Sequence, residues 1–324
     1  MIMTMVQAIN RALAGELERD DRVVVFGEDV GRDGGVFRAT EGLYERFGPD
    51  RVMDTPLAES GAVGAAIGMA ALGLRPVPEI QFMGFIYPAF NQIVSHLARI
   101  RNRTRGRFTA PITIRTPYGA GVKALEHHSE STEALFCHLP GLTVVVPSNP
   151  YDAKGLLAAS IRSDDPVVFL EPTRLYRAEK QEVPEEPYEV PLRQAAVVRE
   201  GRDLTVVAWG AMIPVAREAA AAAEAQGVSV EIVDLRTLSP MDRPTILASV
   251  RKTGRAIVLH EAPKTCGLGA EIAATIGESA LLSLKAPVAR VTAPDITVPL
   301  AKREDLYYPN PDRVLRAVRR LMEY

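Results

Sequence analysis

Glu59 stands at the mouth of the segment Asp54–Gly73, in which nearly every residue beyond it is small or apolar and nothing basic lies close along the chain. A carboxyl group leading into an apolar helix loses solvation, which disfavours its charged form and raises its pKa unless a partner compensates. Groups perturbed in that way are candidates for acid–base chemistry. The competing reading is an exposed glutamate in a helix's first turn, where the helix dipole favours negative charge. Gly61, Gly64 and Gly68 follow at steps of three and four, which places them on one helix face. A glycine inside a helix costs about 1 kcal/mol relative to alanine, so this face is expected to meet another backbone closely.

Histidine is the second signal. The chain has 5, and two of them, His127 and His128, adjoin in the Gly-rich loop Thr116–Glu130. A loop histidine near its free pKa shuttles protons at neutral pH. As metal ligands the pair is poorly spaced, and no further Cys, Asp or Glu completes a set. A third group is Gly27-Glu28-Asp29, directly after a short buried strand. Carboxylates just past a strand's carboxyl end lie where open α/β sheets bind ligands.

Other motifs carry less. Arg99, Arg101, Arg103, Arg105 and Arg107 form a basic run that suits phosphate, an acidic partner or simply a solvated helix end. Gly267-Leu268-Gly269 before a helix has part of a dinucleotide loop, but Ile272 stands where the third glycine belongs, so a helix start is the better reading. P-loop and nucleophile-elbow patterns are absent. Cys137 sits in apolar helical context and reads as a core residue.

The elements that must carry these groups alternate between strand and helix. Thr4 and Gln7 have capping-box spacing before the stripe Val6, Ile9, Leu13, Leu17. Strands are expected at Val23–Phe26, Val52–Met53, Arg75–Gln81, Ile112–Arg115, Thr143–Val146 and Val167–Leu170, with helices at Phe85–Arg101 and Tyr151–Ser163. From Glu171 to Pro191 prolines mix with charges and periodicity fails, which marks an extended linker. Beyond it, strands are expected at Leu204–Ala208, Ser229–Val233, Ala256–Leu259 and Val288–Val291. The helices between and after them are expected at Pro214–Gln226, Arg243–Val250, Gly269–Ala280 and Pro311–Met322. The fold class is therefore α/β: two three-layer domains with largely parallel sheets, at 1–175 and 196–324, joined by a linker at 176–195.

Composition agrees with a globular protein of 324 residues, 47% hydrophobic and 24% charged. A net charge of −2 gives no general attraction to nucleic acid or to an anionic membrane. The first twenty residues are interrupted by Asn10, Arg11 and Glu16 and do not read as a signal peptide, and no apolar run is long enough to span a bilayer. The two cysteines, Cys137 and Cys266, are far apart and have no zinc spacing, which fits a reducing, cytoplasmic setting.

Several segments together carry a resemblance. VVVFGEDVGRDGGVFRATEGL, RVMDTPLAESG, PVPEIQF, EHHSESTEALFCHLPGL, DAKGLLAASIR, DPVVFLEP, VDLRTLSP and HEAPKTCGLGAEI resemble the beta subunit of the thiamine-diphosphate-dependent 2-oxo acid dehydrogenases, from Met5 to Tyr324. The resemblance implies a transketolase-like pyrimidine-binding domain followed by a transketolase C-terminal-like domain. It implies that Glu59 hydrogen-bonds N1′ of the cofactor's aminopyrimidine, favouring the imino tautomer that takes the proton from the thiazolium C2. Leu57 matches the position of a backbone contact to that ring, with Ala58 beside it in the cofactor-binding segment. Phe85 matches the aromatic position packing on the pyrimidine, and Glu28 and Gln81 match cofactor-proximal positions. His128, rather than His127, aligns with the histidine that handles protons as the acyl group passes to a lipoyl arm.

Enzymes of this class hold the diphosphate through a metal, using a Gly-Asp-Gly segment with an Asn about 25–30 residues on. This chain has no Gly-Asp-Gly. The resemblance thus implies that magnesium and half of the thiamine diphosphate site come from an alpha subunit in an α2β2 heterotetramer, and that this chain itself holds no metal. It also implies contact with a lipoyl-bearing acyltransferase core. Some relatives hold potassium near the strand corresponding to Ile112–Ile114, but Ser160–Asp165 differs and no such site is assigned.

The activity implied is oxidative decarboxylation of a small 2-oxo acid with reductive acylation of a protein-bound lipoyl group. HEAPKTCGLGAEI and VAWG are similar to the branched-chain subgroup, so branched-chain 2-oxo acids are the first expectation and pyruvate the alternative. Two readings from other classes are a nucleotide- or flavin-binding electron-transfer protein, suggested by Gly267–Gly269, and a non-catalytic scaffold that keeps the fold.

Overall fold

The computed structural model describes residues 1–324. Eight strands occupy the first part of the chain: β1 (Ile2–Thr4), β2 (Val23–Gly27), β3 (Val52–Asp54), β4 (Arg75–Glu79), β5 (Thr113–Tyr118), β6 (Thr143–Val145), β7 (Val167–Pro172) and β8 (Lys180–Glu182). Six follow: β9 (Ala196–Arg199), β10 (Leu204–Ala208), β11 (Val230–Asp234), β12 (Thr237–Ser239), β13 (Ala256–Pro263) and β14 (Ala289–Ala293). They build a 7-stranded sheet, β12-β6-β7-β5-β4-β2-β3, a 5-stranded sheet, β14-β13-β10-β11-β9, and a 2-stranded pair, β1-β8. In the two large sheets all neighbours are parallel except the edge strands β12 and β9. The central strands are buried on both faces, which is why they read as continuous Val/Ile/Leu runs.

Helices cover both faces of each sheet. In the second half, Val206 and Leu259 join a core with Met212–Glu224 and Pro311–Met322. The alternate residues Val207 and Val258 join another with Arg243–Thr253 and Leu268–Ala280. Each core layer runs through both halves of the chain, from Met5 and Val25 to Val206 in one case and from Phe26 and Val63 to Val258 in the other. In the first half, the helix Met5–Arg19 opens on the Thr4/Gln7 capping box and packs against Pro150–Arg162. The second of these helices starts where Asn149 accepts from the Asp152 N–H (2.8 Å) and Pro150 supplies its fixed φ.

One expectation is corrected. Phe85–Arg101 is not one helix. It divides into 3₁₀ turns at Met83–Ala89 and Leu97–Arg99, a π turn at Gln92–His96 and a short α turn at Ile100–Arg103. Pro88 lies inside the first piece, and His96 (φ −120°) leaves helical geometry. The apolar spacing of Phe90, Ile93, Val94 and Leu97 survives because all of these irregular turns wind in the same sense. The extended segment 176–195 is held against the first half. β8 pairs antiparallel with β1. Val183 is buried, and the buried Lys154 Nζ donates to the carbonyls of Pro184, Glu185 and Glu186 at 2.5, 2.9 and 3.0 Å. No helix is long and apolar enough to cross a membrane.

Candidate active site

The carboxyl ends of β2, β3 and β4 open onto the region where the site residues gather. Gly27 closes β2, and any Cβ there would stand 2.6 Å from the Glu79 carbonyl, so the strands approach at a spacing only glycine permits. The chain then turns at Asp29 (φ 57°) into the loop 28–35. Asp54, at the end of β3, accepts from the N–H groups of Gly31 (2.6 Å) and Arg32 (3.2 Å), which ties down a stretch that composition alone presents as flexible. Gln81 Nε2 donates to Asp29 Oδ2 at 3.2 Å. Glu28, next to it, has its carboxyl pushed up by burial and by the negative charges of Asp29 and Glu59. Glu28, Asp29, Glu59 and Gln81 thus share one neighbourhood.

Glu59 is the first residue of the helix Glu59–Ala71, and Ala58 at the N-cap offers no side-chain bond to its free N–H groups. Here the sequence expectation is corrected in part. Glu59 is only half-buried, so this chain does not by itself desolvate the carboxylate. Leu57 is 73% exposed just before it. The helix buries Ala62, Val63, Ala66 and Ala70 against its own subunit. The opposite face is open: nothing lies within 4 Å of a Cβ built on Gly68, and Gly64 meets only the Gln92 side chain at 3.7 Å. The close backbone neighbour that the glycine spacing calls for is not found within this chain.

Helix Glu59–Ala71 packs against Met83–Ala89, which in turn packs against Glu126–His128. That contact orders the two histidines. His128 turns inward, its ring edge-on to Phe82 (centroids 4.5 Å apart, 68°) and Phe85 (5.3 Å, 76°). Its Nδ1 is buried without a hydrogen-bond partner. His127 stays exposed, 3.6 Å from Glu126 Oε1. A side chain at Gly84 would run into the His127 carbonyl, so the small residue lets the loop seat.

Beneath the site lies a buried ion cluster that sequence reading missed. Arg115 on β5 donates Nε and Nη2 to the two oxygens of Glu171 on β7 (2.7 and 3.0 Å) and Nη1 to Glu79 on β4 (2.8 Å). Tyr176 OH closes the set on Glu171 Oε2 at 2.7 Å. The cluster locks three neighbouring strands in register, and burial pushes the Glu79 carboxyl up against the pull of Arg115. Strand periodicity marks these positions as buried but gives no sign that charges fill them.

The remaining candidates resolve simply. Burial pushes the Cys137 thiol well up, so it offers no thiolate. Side chains at Gly267 and Gly269 would collide with the buried His260 imidazole, which accounts for both glycines by packing and removes the basis of a dinucleotide loop. In the basic run, Arg101 pairs with Asp165 (2.5 Å) and Arg103 caps the Ser95 carbonyl (2.6 Å). A separate set of buried acids is set into the interior: Glu133 is pushed up to about 8, and Asp234 and Glu261 to about 7, in each case chiefly by burial.

Comparison with known proteins places this geometry. Residues 2–179 match the family model of the transketolase pyrimidine binding domain, and residues 193–314 match the transketolase C-terminal domain. The chain is 54% identical over 320 residues to the pyruvate dehydrogenase E1 component subunit beta of Acholeplasma laidlawii, covering 99% of this chain and 98% of that one. It is also 54% identical over 322 residues to the subunit of the same name from Bacillus subtilis, covering 99% of both. Among solved structures, a split gene transketolase described as an inactive beta4 tetramer superposes with a TM-score of 0.81 at 23% identity, over 99% of this chain and 98% of that one. That likeness speaks to the fold.

Proposed function

This chain belongs to the transketolase-like family as a beta subunit of a thiamine-diphosphate-dependent 2-oxo acid dehydrogenase, and from that premise we propose that its substrate is pyruvate and that Glu59 and His128 are its catalytic residues. The observation that carries the substrate is identity of 54% across the whole chain to two subunits named for pyruvate. It outweighs the local similarity of HEAPKTCGLGAEI and VAWG to branched-chain relatives.

The residues present fit the aminopyrimidine half of thiamine diphosphate. A half-buried carboxylate, an aromatic ring and an orphaned imidazole nitrogen lie on contiguous elements, with exposed backbone at Leu57 and Ala58. When bound, the cofactor supplies the nucleophilic carbon that attacks the keto group and takes up the electrons left by carbon dioxide. Glu59 holds a proton at the ring nitrogen N1′. A carboxyl is suited to that exchange once the assembled interface takes it out of water. Phe85 would pack on the ring, and the Leu57–Ala58 backbone would contact it. Burial, together with the negative charges of Asp29 and Glu59, pushes the Glu28 carboxyl up, so it takes a proton more readily than an ordinary glutamate. Gln81 is held in place by Asp29. His128 moves a proton as the acyl group leaves for a lipoyl sulfur.

The alpha subunit, in an α2β2 heterotetramer, provides the diphosphate half of the site and its magnesium, and a lipoyl-bearing acyltransferase core receives the acyl group. The open face of Glu59–Ala71, with Gly61, Ala65 and Gly68 between the exposed Leu57 and Leu72, supports a subunit contact there. Two free cysteines suit a reducing cytoplasm. The division at 1–175, 176–195 and 196–324 is part of the same reading.

The deciding experiment is co-expression with the candidate alpha subunit, followed by assay of pyruvate and 3-methyl-2-oxobutanoate side by side with thiamine diphosphate and magnesium. Pyruvate is expected to win on kcat/KM. One methylene in a pocket is worth about 1–3 kcal/mol, so the preference should be measurable. A reversed preference restores the branched-chain reading, and no decarboxylation of either acid by the assembled complex favours a scaffold.

A further inference from the structure

The geometry points to Glu304, a residue of the second half far from the site in sequence, as a positioning residue for His128. The inference rests on the proton-handling role proposed for that histidine. The loop bearing it, residues 119–130, closes on itself where the Gly119 N–H donates to the Glu130 carbonyl (3.0 Å). One wall of the loop is the Phe82–Phe85 pair already described. The other wall belongs to the second half of the chain. Glu304 is 2% exposed and grips the loop twice. Its Oε1 accepts from the Gly121 N–H at 3.0 Å and its Oε2 from the Ser129 hydroxyl at 3.3 Å. Ser129, next to His128, is itself 1% exposed, and the Tyr308 hydroxyl donates to its carbonyl at 2.7 Å. Lys123 Nζ reaches Asp305 at 2.7 Å from the loop's rim.

These contacts have a directional logic. A loop of this length with four glycines or alanines near its start has little packing of its own to define the histidine. One buried carboxylate spanning Gly121 and Ser129 fixes both the outgoing and the returning strand of the loop. Hydrogen bonds to a charged, buried acceptor are the stronger kind. His128 is therefore set against aromatic rings of the first half on one side, while its neighbour Ser129 is held by Glu304 of the second, and its orientation depends on how the halves dock. Glu304 touches neither substrate nor cofactor and acts through the loop.

The test uses the assembled alpha–beta complex carrying Glu304→Ala, Glu304→Gln, Tyr308→Phe or His128→Ala. Two quantities are read: hydrogen exchange of the 119–130 amides, and the ratio of lipoyl acylation to decarboxylation measured with an artificial electron acceptor. Glu304→Ala is expected to speed exchange across the loop and lower the ratio, each by about tenfold or more, the scale of losing hydrogen bonds to a charged group. Glu304→Gln keeps an acceptor for Gly121 and should recover most of both. Should the alanine variant fail to assemble, Tyr308→Phe, which removes one hydroxyl and keeps the ring, must shift both readouts in the same sense. Unchanged exchange in either variant overturns the clamp. Faster exchange with an unchanged ratio overturns the positioning role. His128→Ala then tells the two failures apart: a lowered ratio there leaves the histidine's role standing without Glu304, and an unchanged ratio removes both.

Discussion

Arg115 and Glu171 face each other through two parallel N–H···O bonds, of 2.7 and 3.0 Å, with both side chains 1% exposed. The fork joins β7 to β5, the strand that runs into the loop carrying His128, and Arg115's remaining amine reaches β4 through Glu79. Breaking one partner of such a buried cluster strands the others. Arg115→Ala is expected to cost about 3–5 kcal/mol of stability. Arg115→Lys keeps the charge but not the planar fork and should recover only part of it. Chemical denaturation of the purified subunit measures both, and a loss below about 1 kcal/mol would show that the cluster is energetically no better than a surface pair.

Glu59→Gln replaces the carboxyl proposed to share a proton with the cofactor by an amide at the start of its helix. The expected outcome is a folded complex that has lost decarboxylation. Circular dichroism and assembly with the alpha subunit check the first half of that statement and carbon dioxide release the second. Ordinary turnover by the variant complex would sink the catalytic assignment.

His128→Ala should slow lipoyl acylation by about 10²–10⁴, the usual contribution of a positioned proton-transfer group. His127→Ala should change it little, because the structure leaves His127 at the surface while His128 turns inward, edge-on to Phe82. Single-turnover acyl transfer distinguishes the two, and equal losses in both variants would assign the role to the loop as a whole.

Glu133 gives the subunit a pH signature. Its carboxyl is wholly buried, neither oxygen has a partner, and burial lifts its pKa to about 8. The folded state therefore keeps a proton that the unfolded chain releases near the ordinary value of 4.5, so stability falls as pH rises between those two values and levels off above the higher one. Asp234 and Glu261 act in the same sense, but their windows close near pH 7. His260, lowered to about 4 by burial, acts in the opposite sense below its ordinary value of 6.5. Between pH 7 and 8, then, Glu133 should account for most of a decline of up to about 1.4 kcal/mol per pH unit. Urea midpoints for Glu133→Gln should be flatter than wild type across that unit, and parallel curves would refute the prediction.

Lys154→Met removes the ammonium that gathers the carbonyls of Pro184, Glu185 and Glu186. Unsatisfied acceptors at a partly wet site cost about 1–3 kcal/mol. The same variant should make the 176–195 segment a preferred site of limited proteolysis. Unaltered cleavage would mean that the β1–β8 pairing alone holds it.

Much of this molecule could be read before its structure was known, and the reasons are local. The helix at Met5–Arg19 announces itself by Thr4 and Gln7, and those at Pro150–Arg162 and Pro311–Met322 by an Asn–Pro start. The central strands are continuous apolar runs. Glu28, Gln81 and Phe85 could be proposed from compact segments that resemble a family, and the fold brings Glu28 near Glu59, Gln81 near Asp29 and Phe85 against His128. What escaped depends on contacts between distant parts of the chain. β12 is three residues long and pairs with β6 from the other half. Asp54 and Glu304 read as ordinary surface acids until their partners, 23 and 183 residues away, come into place. The irregular turns from Met83 to Arg103 carry helical spacing without a helix, which no periodicity count separates.

The strand β12 has a consequence for biosynthesis. It covers β6, the strand that would otherwise form the rim of the seven-stranded sheet. A nascent chain leaving the ribosome therefore completes β7 and much of the first half while that rim still shows its unpaired backbone groups. Uncovered rims of this kind recruit strands from other chains. Translation must proceed through Ser239 before the seal is in place, so this rim stays open to strands from other chains over that interval. A gene divided between the halves would prolong that interval until the second product arrives.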